Sequence, residues 1–381
     1  MAERSTNIPQ VDGEEILEGI RQWVELESPT YEGESVNKLV DTVEEGMRAL
    51  GAEIDRTPGK DGFGDILKTR TPWGGDGPGI LVLSHLDTVH PLGSIEDYNP
   101  WRREGDSVFG PGIYDMKAGA YLAYYAYQHL VRMGKETPLP VTFMYIPEEE
   151  IGSPTSRALI EEEAKKHKYV LVTEPAREGG KVVTGRKGVG RFEAVTRGVA
   201  AHSGSRHADG RSAVREMANL IIAVEDMTDY AHGVTTNVGL INGGTGVNVV
   251  PHECRVEIDL RVPTQELAEE YEAKILGLKS HHPDVELEVT GGINRPPYQK
   301  DEGIQSLFDH AKGLCEEIGF ELEDMHTGGG SDGCFTAALG IPTLDGLGAD
   351  GVGAHAQHEQ IYFSSLEPRA KMWIRLLETL E

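Results

Sequence analysis

The chain has only three cysteines in 381 residues, Cys254, Cys315 and Cys334, and no CxxC pair. A disulfide framework is therefore not expected, and the thiols read as reduced and structurally minor. Long apolar runs are missing as well: none reaches the ~18 residues that a membrane span needs, and the opening MAERSTNIPQVDGEE has no apolar leader core. A cytoplasmic protein without a membrane partner is expected. Basic residues are scarce, with 36 Lys and Arg against 63 Asp and Glu, a formal net charge of −27. That balance disfavours nucleic acid or an anionic surface as a partner, and a small anionic substrate needs a locally basic pocket. Acidic runs of any length are absent too, so most of the charge reads as solvated surface.

Against these absences stand 38% hydrophobic residues and 47 glycines, the composition of a globular protein with many tight turns. The length favours two domains. In the first half, apolar residues recur at helical spacing in EEILEGIRQWVEL and ESVNKLVDTVEEGMRALGA. The run GILVLSH follows, then a helix in AGAYLAYYAYQHLVRMG, VTFMYIP, a helix in SRALIEEEAKKH, and YVLVTEP. This alternation predicts an α/β layer with a mostly parallel sheet, which places ligands outside the carboxyl ends of its strands. From Lys187 the order becomes βαββαβ, a ferredoxin-like open-faced sandwich; in ECRVEIDLRV, Val256, Ile258 and Leu260 alternate with Glu257, Asp259 and Arg261. Residues 187–294 thus read as a second domain inserted into a first formed by residues 1–186 and 295–381.

Five apolar runs stop at side chains that bind metals: His85 and Asp87 in LVLSHLD, Asp115 in GPGIYDMK, Glu148 and Glu149 in YIPEEE, Glu174 in YVLVTEP, and His355 in GAHAQHE. Buried strands that repeatedly deliver acids and histidines to one sheet edge point to a metal site. Each residue alone has a plainer reading: Asp115 as a helix N-cap, the glutamate triplet as a solvated turn, and His355 and His358 as surface histidines. His85 and Asp87 are two apart, so on an extended strand they share a side, and Asp87 can fix the tautomer of His85.

Taken in order, HLDTV, GPGxYDMKxG, PEEExGS, TEP, GRKG, AAHSG, NVVP, DLRVPT, TGGGSD and the late HxxxE resemble the M20 family of zinc peptidases and aminoacylases over nearly the whole chain. Within it the carboxypeptidase G2-like branch is the most similar. The resemblance implies two divalent ions, Zn²⁺ before Mn²⁺ or Co²⁺, one held by His85, Asp115 and Glu174 and the other by Asp115, Glu149 and His355. It also implies Glu148 as catalytic base, with Asp87 supporting His85 and His202 donating to the developing oxyanion. Arg261 and Asn237 are expected to hold the substrate carboxylate, and the glycine N–H groups around Gly329 and Gly330 to form an anion nest. His355 is preferred to His358 because it stands four residues before Glu359.

The function implied is hydrolysis of the amide bond of a peptide or N-acyl amino acid with a free carboxylate, by a homodimer joined through the inserted domain. Two rival readings are a deacylase or amidohydrolase acting on another small-molecule C–N bond, and a metal-binding protein without catalysis.

Overall fold

The computed structural model describes residues 8–381; residues 1–7, part of the stretch read above for a leader, lie outside the described residues. The chain falls into two compact units. One comprises the chain up to Gly185 with Lys300–His326 and Ser331–Glu381; the other comprises Arg186–Gln299 and Thr327–Gly330. The glycine loop of TGGGSD thus goes with the second unit, whereas the pattern of the sequence grouped it with the first.

In the first unit, six strands run in the order Glu53–Thr57, Ile66–Arg70, Val141–Ile146, Gly79–His85, His167–Val172 and Thr343–Leu344. The four from Val141–Ile146 onward pair in parallel, and the two at the other edge are antiparallel. Every residue of Gly79–His85 and Val141–Ile146 is buried because both sheet faces are covered. Ile80, Val82, Phe143 and Tyr145 pack with Leu39, Val43, Tyr127 and Trp373 on one face. Leu81, Leu83, Met144 and Ile146 pack with Ile160, Val172 and Phe335 on the other. Burying one such side chain stabilises the fold by roughly 1.5–3 kcal/mol.

The helices begin where local chemistry favours them. The Asp12 carboxylate accepts from the N–H groups of Glu14 and Glu15 at the start of Gly13–Val24, and Asp301 caps Glu302–Ile318 through Ile304; such caps contribute about 1 kcal/mol each. A small antiparallel sheet, Gly351–Val352, Gln360–Tyr362, Ser107–Phe109 and Arg102–Glu104, sits beside the helical layer. Its strands are two or three residues long, and its pairing brings the 353–359 loop beside the 110–115 turn. Among the described residues no helix is long and apolar enough to cross a membrane.

The second unit contains Gly188–Arg197, Ala213–Glu225, Thr235–Gly243, Glu253–Val262, Gln265–Leu276 and Glu286–Arg295, the expected βαββαβ order. Its four strands form one antiparallel sheet, with Gly188–Arg197 and Glu253–Val262 central. Cys254, Val256, Ile258, Leu260 and Val262 face the helices and pack with Met217, Leu220, Tyr271 and Ile275, while the intervening residues face outward. Ser212 and Thr264 cap the two helices. All three cysteines of the chain are buried, and none forms a disulfide.

Candidate metal centre

His85 ends the central strand with its imidazole 1% exposed. Nδ1 lies 2.9 Å from the backbone carbonyl of Asp87 and 3.5 Å from its Oδ1. The carbonyl is the true acceptor, so the ring proton belongs on Nδ1 and the Nε2 lone pair is left for a ligand. Nε2 faces Asp115 Oδ1 at 3.2 Å and Glu174 Oε1 at 3.8 Å. The Asp87 carboxylate, beside His85 as the sequence suggested, has a further task. It accepts from Thr30 Oγ1 at 2.7 Å and from the backbone N–H groups of Glu149 and Glu150 at 3.1 and 3.3 Å, so it fixes the turn that carries both glutamates.

Asp115 lies in an irregular turn, Ile113–Lys117, and does not cap the helix that follows. One of its carboxylate oxygens faces His85; the other faces His355 Nε2 at 3.5 Å. His355 also meets Glu150 Oε2 at 3.0 Å. It reaches both from a backbone φ of 63°, the left-handed region that costs a non-glycine residue roughly 1–2 kcal/mol. Both His355 and His358 are exposed, so it is the contacts to Asp115 and Glu150 that mark His355.

The glutamate triplet sends its side chains to two different places. Glu148 Oε1 accepts from the N–H and hydroxyl of Thr155 (3.0 and 2.9 Å) and from those of Ser156 (2.8 and 2.7 Å). Its side chain is fully buried and serves the turn that starts the next helix. Burial raises its carboxyl above the ordinary range even against these donors. The physical reason lies in the chain path. The strand ends at Ile146, Glu148 turns to the start of the next helix, and the single turn Glu149–Ile151 carries the next two glutamates toward His85. Two overlapping groups of close ligand atoms result, His85 with Glu149 and Glu174, and His85 with Asp115 and Glu150. Glu149, expected as a ligand, lies in the first group, and Glu150, which the sequence reading did not assign, lies in the second; Glu148, expected as the base beside the ligands, is in neither.

Four carboxylates and two imidazoles in so small a space demand positive charge. Burial and hydrogen bonding pull against each other at Asp115: burial raises its carboxyl, but His355 and His85 bring it well below the usual range. Burial pushes the Glu150 carboxyl up to about 8. Hydrogen bonds to Asp115 and Glu150 push His355 up to about 11. Glu150 Oε1 is buried without a hydrogen-bond partner, an arrangement that a cation satisfies. The donor set therefore fits divalent ions. Because ligands bind metals only when deprotonated, loading the metal-free protein near pH 7 is expected to release at least the His355 proton. Apparent metal affinity should then rise about tenfold per pH unit for each proton displaced. A pH-stat titration with Zn²⁺ checks this, and loading without proton release would show that His355 stays outside the metal site.

In the second unit, His202 ends the short strand Ala201–His202, paired to Val249–Val250. Its Nδ1 accepts from the N–H groups of Gly204 and Ser205 at 3.1 and 3.2 Å, which puts the ring proton on Nε2. Asn237 is exposed on the edge strand opposite Asp259. The Arg261 fork closes on Asp259 through Nε (2.8 Å) and Nη2 (2.9 Å), and Nη1 donates to the Gly328 carbonyl at 3.2 Å. Arg186 Nη1 lies 3.2 Å from the carbonyls of both Gly329 and Gly330. The glycine loop is thus held through its carbonyls by two arginines.

The model for peptidase family M20/M25/M40 matches residues 81–379, and the chain belongs to that family. It is a metal-dependent hydrolase of small amide or peptide substrates. Carboxypeptidase G2 of Pseudomonas sp. (strain RS-16) is 29% identical over 96% of this chain and 89% of its own length. The succinyl-diaminopimelate desuccinylase of Delftia acidovorans is 24% identical over 96% of this chain and 98% of its own length. A crystal structure of a tripeptidase from Staphylococcus aureus superposes with a TM-score of 0.77 at 19% identity, covering 97% of this chain and 99% of that one, a likeness of fold.

Proposed function

We propose that the protein is a co-catalytic dizinc hydrolase that cleaves the amide bond of a peptide or N-acyl amino acid with a free carboxylate, in the manner of a glutamate carboxypeptidase. The observation that carries this reading is Asp115, whose two carboxylate oxygens face two imidazoles from different segments, as a bridging ligand requires. In the proposed assignment His85, Asp115 and Glu174 hold one ion, and Asp115, Glu150 and His355 hold the other. Glu149 takes the role of base. Both glutamate roles move one residue along the chain from those the resemblance suggested, because Glu148 is engaged with Thr155 and Ser156. Imidazole with carboxylate suits Zn²⁺, and also Mn²⁺ or Co²⁺.

When bound, two such ions acidify a water and polarise an amide carbonyl. Glu149, held in place through its backbone by Asp87, receives the proton of the attacking water and delivers it to the leaving nitrogen. His202, with its proton on Nε2, is the proposed donor to the oxyanion. Arg261, with Asn237 and the loop at Gly330, is the proposed receptor of the substrate carboxylate, and Asp259 holds the guanidinium ready. Arg261→Ala is accordingly expected to raise KM for carboxylate substrates far more than for the matching amides. Equal effects on both would reduce Arg261 to a support of the sheet.

The similarity to a desuccinylase over nearly the full length keeps a deacylase reading as the alternative. Turnover of a panel of N-acyl amino acids and dipeptides by the metal-loaded protein, with bound metal quantified, decides between them. A preference for succinyl or acetyl groups selects the deacylase, and inertness toward the whole panel with two ions bound would sink hydrolysis. We place the protein in the cytoplasm, where free thiols persist. We also infer a homodimer through the second unit, whose edge strand exposes Leu240 and Ile241 at 62% and 60% beside unpaired backbone groups. The double variant Leu240→Lys, Ile241→Lys should sediment as a monomer, and an unchanged dimer would place the interface elsewhere.

A further inference from the structure

Glu359 is fully buried, yet the bonds to its carboxylate come from three backbone N–H groups and one imidazole. Oε1 accepts from the backbone N–H groups of Tyr114 and Asp115, both at 2.8 Å. Oε2 accepts from the N–H of Gly112 at 2.8 Å and meets His90 Nε2 at 2.5 Å. The four lone-pair sites of a carboxylate are thereby filled. His90 is itself 6% exposed and continues the chain of bonds through Nδ1 to the Tyr98 hydroxyl at 3.3 Å, which accepts from Ser94 Oγ at 2.6 Å. The backbone carbonyl of Glu359 accepts from Asn99 Nδ2 at 3.2 Å.

These contacts join three separate segments. Glu359 lies four residues after His355, His90 lies five residues after His85, and the Asp115 N–H is bound directly. Each tether ends within a few residues of a proposed ligand, and all converge on one carboxylate. The turn at Gly112–Asp115 has no regular helical or sheet pairing through Asp115 to set it; three of its N–H groups point at Glu359 instead. We propose that the buried Glu359–His90 pair is the positioning unit of the metal centre. It sets the bridging carboxylate of Asp115 and holds it in register with His85 and His355. The proposal rests on the two-metal reading above, and it assigns Glu359 no contact with substrate or reacting atoms.

A glutamine at position 359 keeps the size but offers one acceptor oxygen, so it cannot satisfy both the backbone N–H groups and the imidazole. Outer partners of metal ligands typically control affinity by about 10–100-fold. Glu359→Gln is therefore expected to fold, as judged by circular dichroism, yet to bind at least one Zn²⁺ about 10–100-fold more weakly. It should also show an altered absorption spectrum when loaded with Co²⁺. Saturating metal should restore much of kcat without a change in KM. His90→Gln and His90→Ala should move the same readouts in the same direction, and they decide the matter if Glu359→Gln does not fold. Glu216→Gln, which alters a buried carboxylate of the second unit bound to His281, is the control and should leave metal affinity unchanged. If wild type binds two ions and the folded Glu359 and His90 variants match it in affinity and Co²⁺ spectrum, the pair only supports the fold and the inference is overturned. If wild type itself binds fewer than two ions, the two-metal reading falls first and the positioning role with it.

Discussion

Glu149→Gln is expected to retain both metal ions and lose turnover by at least the roughly 10²–10⁴-fold that general acid–base groups contribute. The neighbouring Glu148→Gln should keep its metals and most of its turnover. The contrast follows from where the two side chains go. Glu149 forms a close group with His85 and Glu174, the proposed place of a water that bound ions would activate, and its backbone is pinned by Asp87. Glu148 has its carboxylate filled by Thr155 and Ser156. A glutamine at 148 still presents an oxygen to those donors, so its effect should fall on thermal stability. Steady-state rates with metal content measured on the same samples test both halves. A metal-replete Glu149→Gln that turns over normally would remove the general base from the mechanism, and a dead Glu148→Gln with two ions bound would return the role to Glu148.

The proposed one-residue shift bears on how far the sequence could be read. The three central strands were legible because Val, Ile and Leu run together in GILVLSH, VTFMYIP and YVLVTEP, whose ends bring His85 and Glu174 to one sheet edge, whereas the outer strands Glu53–Thr57, Ile66–Arg70 and Thr343–Leu344 were not read. Three adjacent glutamates carry no such signal. Which of them faces the edge depends on a single turn of 3-10 helix and on Ser156, eight residues further on, and neither leaves a period in the sequence. Glu359 and His90 were hidden for a similar reason. The strands that bring the 353–359 loop to the 110–115 turn are two or three residues long, too short for alternation to show. The second unit was easier, since ECRVEIDLRV alternates over ten residues and fixes both faces of its strand. Even there, the bidentate grip of Asp259 on Arg261 could have been anticipated, because residues two apart on a strand share a face.

Asp115→Asn is expected to abolish turnover and to lose at least one metal equivalent, a larger loss than the roughly 10–100-fold that removing an outer partner causes. The amide keeps the shape of the turn and its backbone bonds to Glu359, but it no longer supplies negative charge between His85 and His355. Stability of the metal-free protein gives a second readout whose sign can be worked out. The folded-state carboxyl of Asp115 lies below its unfolded value near 3.9, so its contribution is present above that pH and is lost as pH falls through the depressed value. His355 is raised to about 11 from an unfolded value near 6.5, so its contribution is complete below about 6.5 and is lost as pH rises through about 11. The stability difference between metal-free wild type and Asp115→Asn should therefore be largest between about pH 4 and 6.5, and should shrink on both sides. Urea unfolding across that range checks it. A difference that does not vary with pH would mean that the two imidazoles do not share the Asp115 charge, and the bridging geometry would have to be abandoned.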